Sequence, residues 1–176
     1  AMKLAARDPQ RVEAIVPGYT CYSVPAAIER AGLVPRLCDV DPATLSPDLD
    51  SLAGIDHGRV LAIVSANLYG LPNALADLES YAQSHGLFML DDAAQALGAR
   101  YQGRPVGSFG DAGLFSFDKG KNITTLQGGV LVADSQKQMP NNWLYRRGDV
   151  DPVTGEFALG AEDELERTGI AVLDRA

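Results

Sequence analysis

Apolar runs and helical repeats take turns along this chain. Val12–Val16 is a short apolar run closed by Pro17-Gly18, and Leu33–Val40 is a second that stops at an Asp41-Pro42 turn. Val60–Ser65 (VLAIVS) is continuously apolar, the pattern of a strand buried on both faces. Leu87–Leu90 runs into Asp91-Asp92, and Leu114–Phe117 and Val130–Val132 supply two further strands. Between these runs the period changes to that of a helix. Residues 1–7 read as the end of a helix stopped at Asp8-Pro9, and Tyr22–Arg30 as a helix with Gly32 as its C-terminal cap. Asp48–Ala53 is a weaker helix. Ala74–His85 is the clearest, with Leu75, Leu78, Tyr81 and Ala82 on one face and Gly86 after it. This alternation predicts an α/β fold of three layers, α/β/α, around a mostly parallel sheet. In such a sheet, ligands sit beyond the carboxyl ends of the strands.

A length of 176 residues suits a single domain, and 46% hydrophobic with 22% charged residues describes a folded globular chain. The net charge of −8 changes the picture because it is uneven. Most of it lies beyond residue 148, where Asp149, Asp151, Glu156, Glu162, Asp163, Glu164, Glu166 and Asp174 face only Arg167 and Arg175. That tail reads as a solvated surface or a frayed end, with no domain of its own. No basic stripe is present to neutralise phosphates, which argues against nucleic acid. No apolar stretch reaches the ~18 residues of a membrane helix and no signal peptide is visible, so the expected location is the cytoplasm. Cys21 and Cys38 have no metal or redox spacing and read as two small buried residues in a reduced compartment. His57, in a turn, and His85, at a helix end, read as structural.

Several motif-like stretches fail on inspection. Gly120-Lys121 lacks the earlier glycine of a phosphate loop, because Phe115 stands there, and Asn122 replaces the magnesium-binding Ser or Thr. Gly107, Gly110 and Gly113 are evenly spaced and do not form the dinucleotide fingerprint. Asp39-Val40-Asp41 and Asp149-Val150-Asp151 lack the glycine and the fifth-position ligand of a calcium loop. No metal site is expected.

Two stretches carry chemistry. Leu87–Ala99 (LFMLDDAAQALGA) brings two carboxylates to a strand end, followed by small residues and Gln95. Gly110–Val132 (GDAGLFSFDKGKNITTLQGGVLV) ends a strand in Ser116, holds Lys119 and Lys121 in a loop, and opens another strand at Gly128-Gly129. Taken with Val16-Pro17-Gly18-Tyr19-Thr20, Asp39-Val40-Asp41, Leu68-Tyr69-Gly70, Gly98-Ala99 and Gly107-Ser108-Phe109-Gly110-Asp111, these motifs resemble the DegT/DnrJ/EryC1/StrS family over about residues 12–134. That family comprises sugar aminotransferases of the pyridoxal 5′-phosphate (PLP) fold type I.

The resemblance implies that residues 1–134 are a PLP-binding large-domain core and that 135–176 match the family poorly. It implies Lys121 as the Schiff-base lysine, Asp92 as the carboxylate at the cofactor's ring nitrogen, Gln95 near its phenolic oxygen and Ser116 at its phosphate. The family places an aromatic ring over the cofactor just after the Tyr-Thr pair. Here Cys21 occupies that place and Tyr22 follows it, leaving two candidates for the ring face. The family's first phosphate loop and its small domain have no counterpart, so the chain is expected to be partial, with a natural start upstream. The activity implied is transfer of an amino group, from glutamate, to a keto group on a nucleotide-linked sugar, by a homodimer. Two alternatives stay open: a sugar dehydratase of the same family, which the presence of Lys121 disfavours, and a non-catalytic remnant or scaffold.

Overall fold

The computed structural model describes residues 8–126, 128–133, 149–150, 157–158 and 170–174. Its framework is a seven-stranded sheet. In chain order the elements are β1 (Glu13–Pro17), α1 (Ser23–Arg30), β2 (Val34–Cys38), α2 (Leu49–Ala53), β3 (Val60–Ala66), α3 (Leu75–His85), β4 (Phe88–Asp92), the hairpin β5 (Arg100–Tyr101) and β6 (Arg104–Pro105), β7 (Ala112–Ser116) and β8 (Gly129–Ala133). Three short strands follow: β9 (Asp149–Val150), β10 (Phe157–Ala158) and β11 (Ile170–Asp174). The main sheet has the order β11-β8-β7-β4-β3-β1-β2. Strands β2, β1, β3, β4 and β7 are mutually parallel, β8 is antiparallel to β7, and β11 runs parallel to β8. This is the mostly parallel sheet expected.

Strand periodicity distributes the core between two faces. Ile15 of β1, Ile63 of β3 and Met89 of β4 pack with Leu52 of α2 and Leu75, Leu78 and Ala82 of α3. Ala14 and Val16 of β1 pack on the other face with Ile28 of α1 and Leu33. Helices therefore lie on both sides. Helix α1 ends as its sequence predicts: Gly32 takes a φ of 76°, and the amides of Gly32 and Leu33 turn back to the carbonyls of Glu29 and Ile28. His57 and His85 stack on each other, and His57 Nε2 shares a hydrogen bond with the Tyr81 hydroxyl. Neither histidine lines the cavity described below.

Three expectations change. Cys38 is buried, but Cys21 is exposed, because it lies in the turn between β1 and α1 rather than under a helix. The segment around Arg100–Pro105 is a hairpin, where only loop was read; Gln102 and Gly103 both take positive φ, as a two-residue turn requires. The acidic tail also contributes β11, whose short Ile-Ala-Val-Leu-Asp run pairs with β8 along its whole length. The proposed helix over residues 1–7 lies outside the described residues. Among the described residues no helix is long and apolar enough to cross a membrane.

The loop between β6 and β7 presses against the strands so closely that side chains are excluded. A Cβ on Gly113 would collide with the Gly107 carbonyl oxygen, and one on Gly110 would come within 2.6 Å of the Met89 side chain. Gly113→Ala is therefore expected to lower the unfolding free energy by about 3 kcal/mol, the scale of overpacking in a dense core. Urea denaturation compared with the parent checks this.

Candidate functional site

The strand order reverses at β1, whose two neighbours, β2 and β3, follow it in sequence on opposite sides. Loops leaving β1 and β3 must then diverge, and a crevice opens beyond their carboxyl ends. A cavity of about 550 Å³ occupies this position and extends along the α1 face of the sheet. Its walls are largely apolar, with Val64 of β3, Leu90 of β4 and Leu114 of β7 among them. Cys21, Tyr22, Asp92, Gln95, Ser116 and Lys121 all line it. The fold thus brings together every site residue singled out in the sequence.

Parity on β4 separates the two acidic neighbours. Asp91 shares a face with Met89, and Asp92 shares the opposite face with Leu90. Asp91 is fully buried and acts as a structural tie. Its Oδ2 accepts the amides of Gly107 at 2.6 Å and Phe109 at 3.2 Å, and its Oδ1 accepts Asn67 Nδ2 at 2.7 Å. Asp92 turns to the cavity with 8% exposure, and its Oδ1 accepts the Ala94 amide at 2.9 Å. Burial raises the Asp92 pKa above the ordinary carboxyl value, while the Ala94 amide and the positive charge of Lys121 pull it back. A carboxylate in this position would be stabilised by a further cation in the cavity.

Ser116 occupies the corresponding place on β7. Leu114 pairs with Asp92, so the next residue on the same face, Ser116, extends beyond it at the mouth of the strand. Lys121 follows in a loop and is half-buried, whereas Lys119 is exposed and absent from the cavity wall. Gln95 lies three residues past Asp92 in a turn closed by the Ala96 amide on the Ala93 carbonyl. On the opposite lip, Cys21 Sγ accepts the Ser23 hydroxyl at 3.0 Å. Hydrogen bonds from the Ser23 side chain and backbone hold the Cys21 thiol below its ordinary pKa, and Lys121 adds to the effect. Tyr22, 85% exposed, stands at the entrance to α1.

Sequence reading missed two participants. The Thr20 hydroxyl is buried against the cavity and has no hydrogen-bond partner among the described residues. An oxygen in that state calls for a polar occupant. In the sequence, the Tyr19-Thr20 pair stands out only as part of a motif. Asn67 lines the cavity floor; its amide and its Nδ2 both donate to the Asp92 carbonyl, at 3.0 and 2.9 Å. An asparagine after an apolar strand carries no distinctive spacing, and so gave no signal.

The Asp92 shift has a consequence for stability. Because the native carboxyl binds its proton more tightly than the unfolded chain does, its contribution is fully present below the ordinary value of 3.8 and is lost as pH rises through the raised native value. At neutral pH the buried charge is a net cost. Asp92→Asn, which keeps an acceptor for the Ala94 amide, is expected to stabilise the cofactor-free protein at pH 7 and to change it little near pH 3. Urea titrations at the two pH values measure the difference.

Comparison with known proteins follows the same lines. The model of the DegT/DnrJ/EryC1/StrS aminotransferase family matches residues 1–151, farther toward the C-terminus than the motifs alone reach. A UDP-N-acetyl-3-dehydro-alpha-D-glucosamine 3-aminotransferase of Acidithiobacillus ferrooxidans is 36% identical over 138 residues, covering 77% of this chain and 37% of its own. An L-glutamine:scyllo-inosose aminotransferase of Streptomyces griseus is 38% identical over 162 residues, covering 89% of this chain and 37% of its own. Among solved structures, DesI in the presence of its TDP-sugar product superposes with a TM-score of 0.63 and 40% identity, over 69% of this chain and 31% of that one. The chain thus spans roughly two fifths of the length of these curated relatives, 37% in both cases.

Proposed function

The chain belongs to the DegT/DnrJ/EryC1/StrS aminotransferase family, whose members depend on PLP, and from that premise we propose that its cavity binds PLP and serves amino transfer to a keto sugar. The observation that carries this reading is the pairing of the buried carboxylate of Asp92 with an amine, Lys121, across one largely apolar cavity. The residues fit the cofactor. Asp92 would hold the proton on the ring nitrogen, and that positive charge would offset the burial that otherwise raises its pKa. Lys121 Nζ is the nucleophile that would retain the cofactor covalently. The unpartnered Thr20 hydroxyl and the Ser116 hydroxyl, both on the cavity wall, suit the phosphate. Cys21 and Tyr22 are the two candidates for the ring face.

When bound, PLP supplies an electron sink for charge developing at the donor's Cα. The rest falls to the chain. Lys121, the residue that would hold the cofactor, would also be the base placed to take up and return the proton at that Cα. Asp92 would keep the ring nitrogen protonated, and the apolar wall of Val64, Leu90 and Leu114 would keep water from competing for that charge. The acceptor in this reading is a keto group on a nucleotide-linked sugar, the amino donor is glutamate, and the active form is a homodimer in the cytoplasm. The inosose aminotransferases among the relatives support a second acceptor class, and their names specify L-glutamine as donor. Supplying glutamate and glutamine in parallel distinguishes the donors.

Borohydride reduction in the presence of PLP, followed by peptide mapping, tests the assignment. The label is expected on Lys121, lost in Lys121→Ala and retained in Lys119→Ala. A label on Lys119 would place the site two residues away from this reading. No label in any form would favour a scaffold without turnover.

A further inference from the structure

The Leu68-Tyr69-Gly70 motif has no role in the chemistry above, yet its geometry is unusual. It forms a tight turn closed by the Leu71 amide on the Leu68 carbonyl at 2.9 Å. Tyr69 lies at φ 57° and ψ 21°, and Gly70 at φ 79°. Turns with positive φ at both central positions select Gly, Asn or Asp. A tyrosine there is sterically disfavoured and needs a reason. Two contacts supply one. The Tyr69 amide donates to Gln95 Oε1 at 3.1 Å, and the Tyr69 hydroxyl shares a 2.6 Å hydrogen bond with the Tyr19 hydroxyl, next to Thr20 on the cavity wall.

The first contact decides what Gln95 offers. A backbone amide can only donate, so the Gln95 atom that meets it is the carbonyl oxygen. This removes the usual ambiguity between the two ends of a glutamine side chain. With Oε1 engaged outside, the polar group Gln95 has left for the cavity it lines is Nε2, which carries two donors and no acceptor.

We propose that Tyr69 is a positioning residue: its left-handed backbone presents the amide that captures Gln95 Oε1, so that Gln95 meets the cavity as a hydrogen-bond donor to an anionic oxygen. The inference rests on the PLP reading above, in which that oxygen is the cofactor's phenolic oxygen. A donor on this oxygen weakens its hold on the proton it shares with the lysine nitrogen, and so lowers the pH at which that proton leaves.

The test is a pH titration of the absorbance of PLP bound through Lys121, in the parent and three variants. Tyr69→Val places a β-branched residue where positive φ is strongly disfavoured, and so withdraws the amide. Tyr69→Asn removes the ring but tolerates the conformation. Gln95→Met removes the donor itself. Tyr69→Val and Gln95→Met are expected to raise the midpoint by about one pH unit, a tenfold change in the proton equilibrium. Tyr69→Asn is expected to keep the parental midpoint. A cofactor-free measurement guards against a variant that fails to fold: exchange of the Tyr69 amide should be about tenfold faster in Gln95→Met than in the parent. A shift in Gln95→Met with none in Tyr69→Val would overturn the inference while leaving the PLP reading intact. So would equal shifts in Tyr69→Val and Tyr69→Asn, or unchanged exchange in Gln95→Met. Absence of any Lys121-dependent band in the parent would remove the PLP reading, and this inference with it.

Discussion

A carboxylate buried against an apolar wall is unstable unless a positive charge comes to meet it, and Asp92 is such a group. Its backbone is fixed from two directions: the carbonyl by both donors of Asn67, and the strand by the ladder to β3 and β7. Its charge is opposed only in part, by one amide and by Lys121. The cofactor-free site is therefore a region of stored electrostatic cost, concentrated where a cationic ring nitrogen would be held. Sites poised in this way trade stability of the empty protein for affinity and chemistry in the loaded one.

The surrounding fold serves to hold that charge in place. Two acids in succession on a strand point to opposite faces, and each face makes its own use of the acid it receives. Asp91 ties the β6–β7 loop to the sheet through the Gly107 and Phe109 amides, and through Asn67 it ties the loop after β3 as well. Asn67 passes this rigidity to Asp92, and Asn73 extends it by donating to the Asn67 oxygen and to the Ser65 hydroxyl. The dense glycine packing of the β6–β7 loop has the same purpose, because a loop held at van der Waals distance cannot drift and let Asp91 go. The structural tie and the cavity-facing carboxylate are thus neighbours in the sequence and separate in their surroundings.

Much of this was legible beforehand, for definite reasons. The runs Val60–Ser65 and Leu87–Leu90 are too apolar and too short for anything but buried strands, and the Leu75, Leu78 and Ala82 spacing allows only one helix face. The six site residues converge because strand ends in a parallel sheet share one edge, so Asp92 and Ser116 had to approach each other. In the sequence only the family resemblance, which implies Asp92, tells the two acids apart; the faces that Met89 and Leu90 take in the sheet supply the physical difference between them. Thr20 and Asn67 escaped notice because hydroxyls and amides near turns are common, and only burial reveals that one lacks a partner and the other has several. Cys21 was expected to be buried on the basis of its residue type, whereas the turn that carries it projects outward. The β5–β6 hairpin was missed because Gln102-Gly103 is a less familiar turn pair than Asn-Gly, and β11 because five apolar residues in an acidic tail do not stand out.

Whether Asp92 and the cofactor's ring nitrogen share a proton and balance each other's charge, as proposed, can be read at the nitrogen itself. PLP labelled with nitrogen-15 in the ring, bound to the protein and observed by NMR near pH 8, reports directly whether that atom is protonated. The expected result is the shift of a protonated ring in the parent and of a neutral pyridine in Asp92→Asn. A neutral ring in the parent, unchanged by the substitution, would rule out the shared proton.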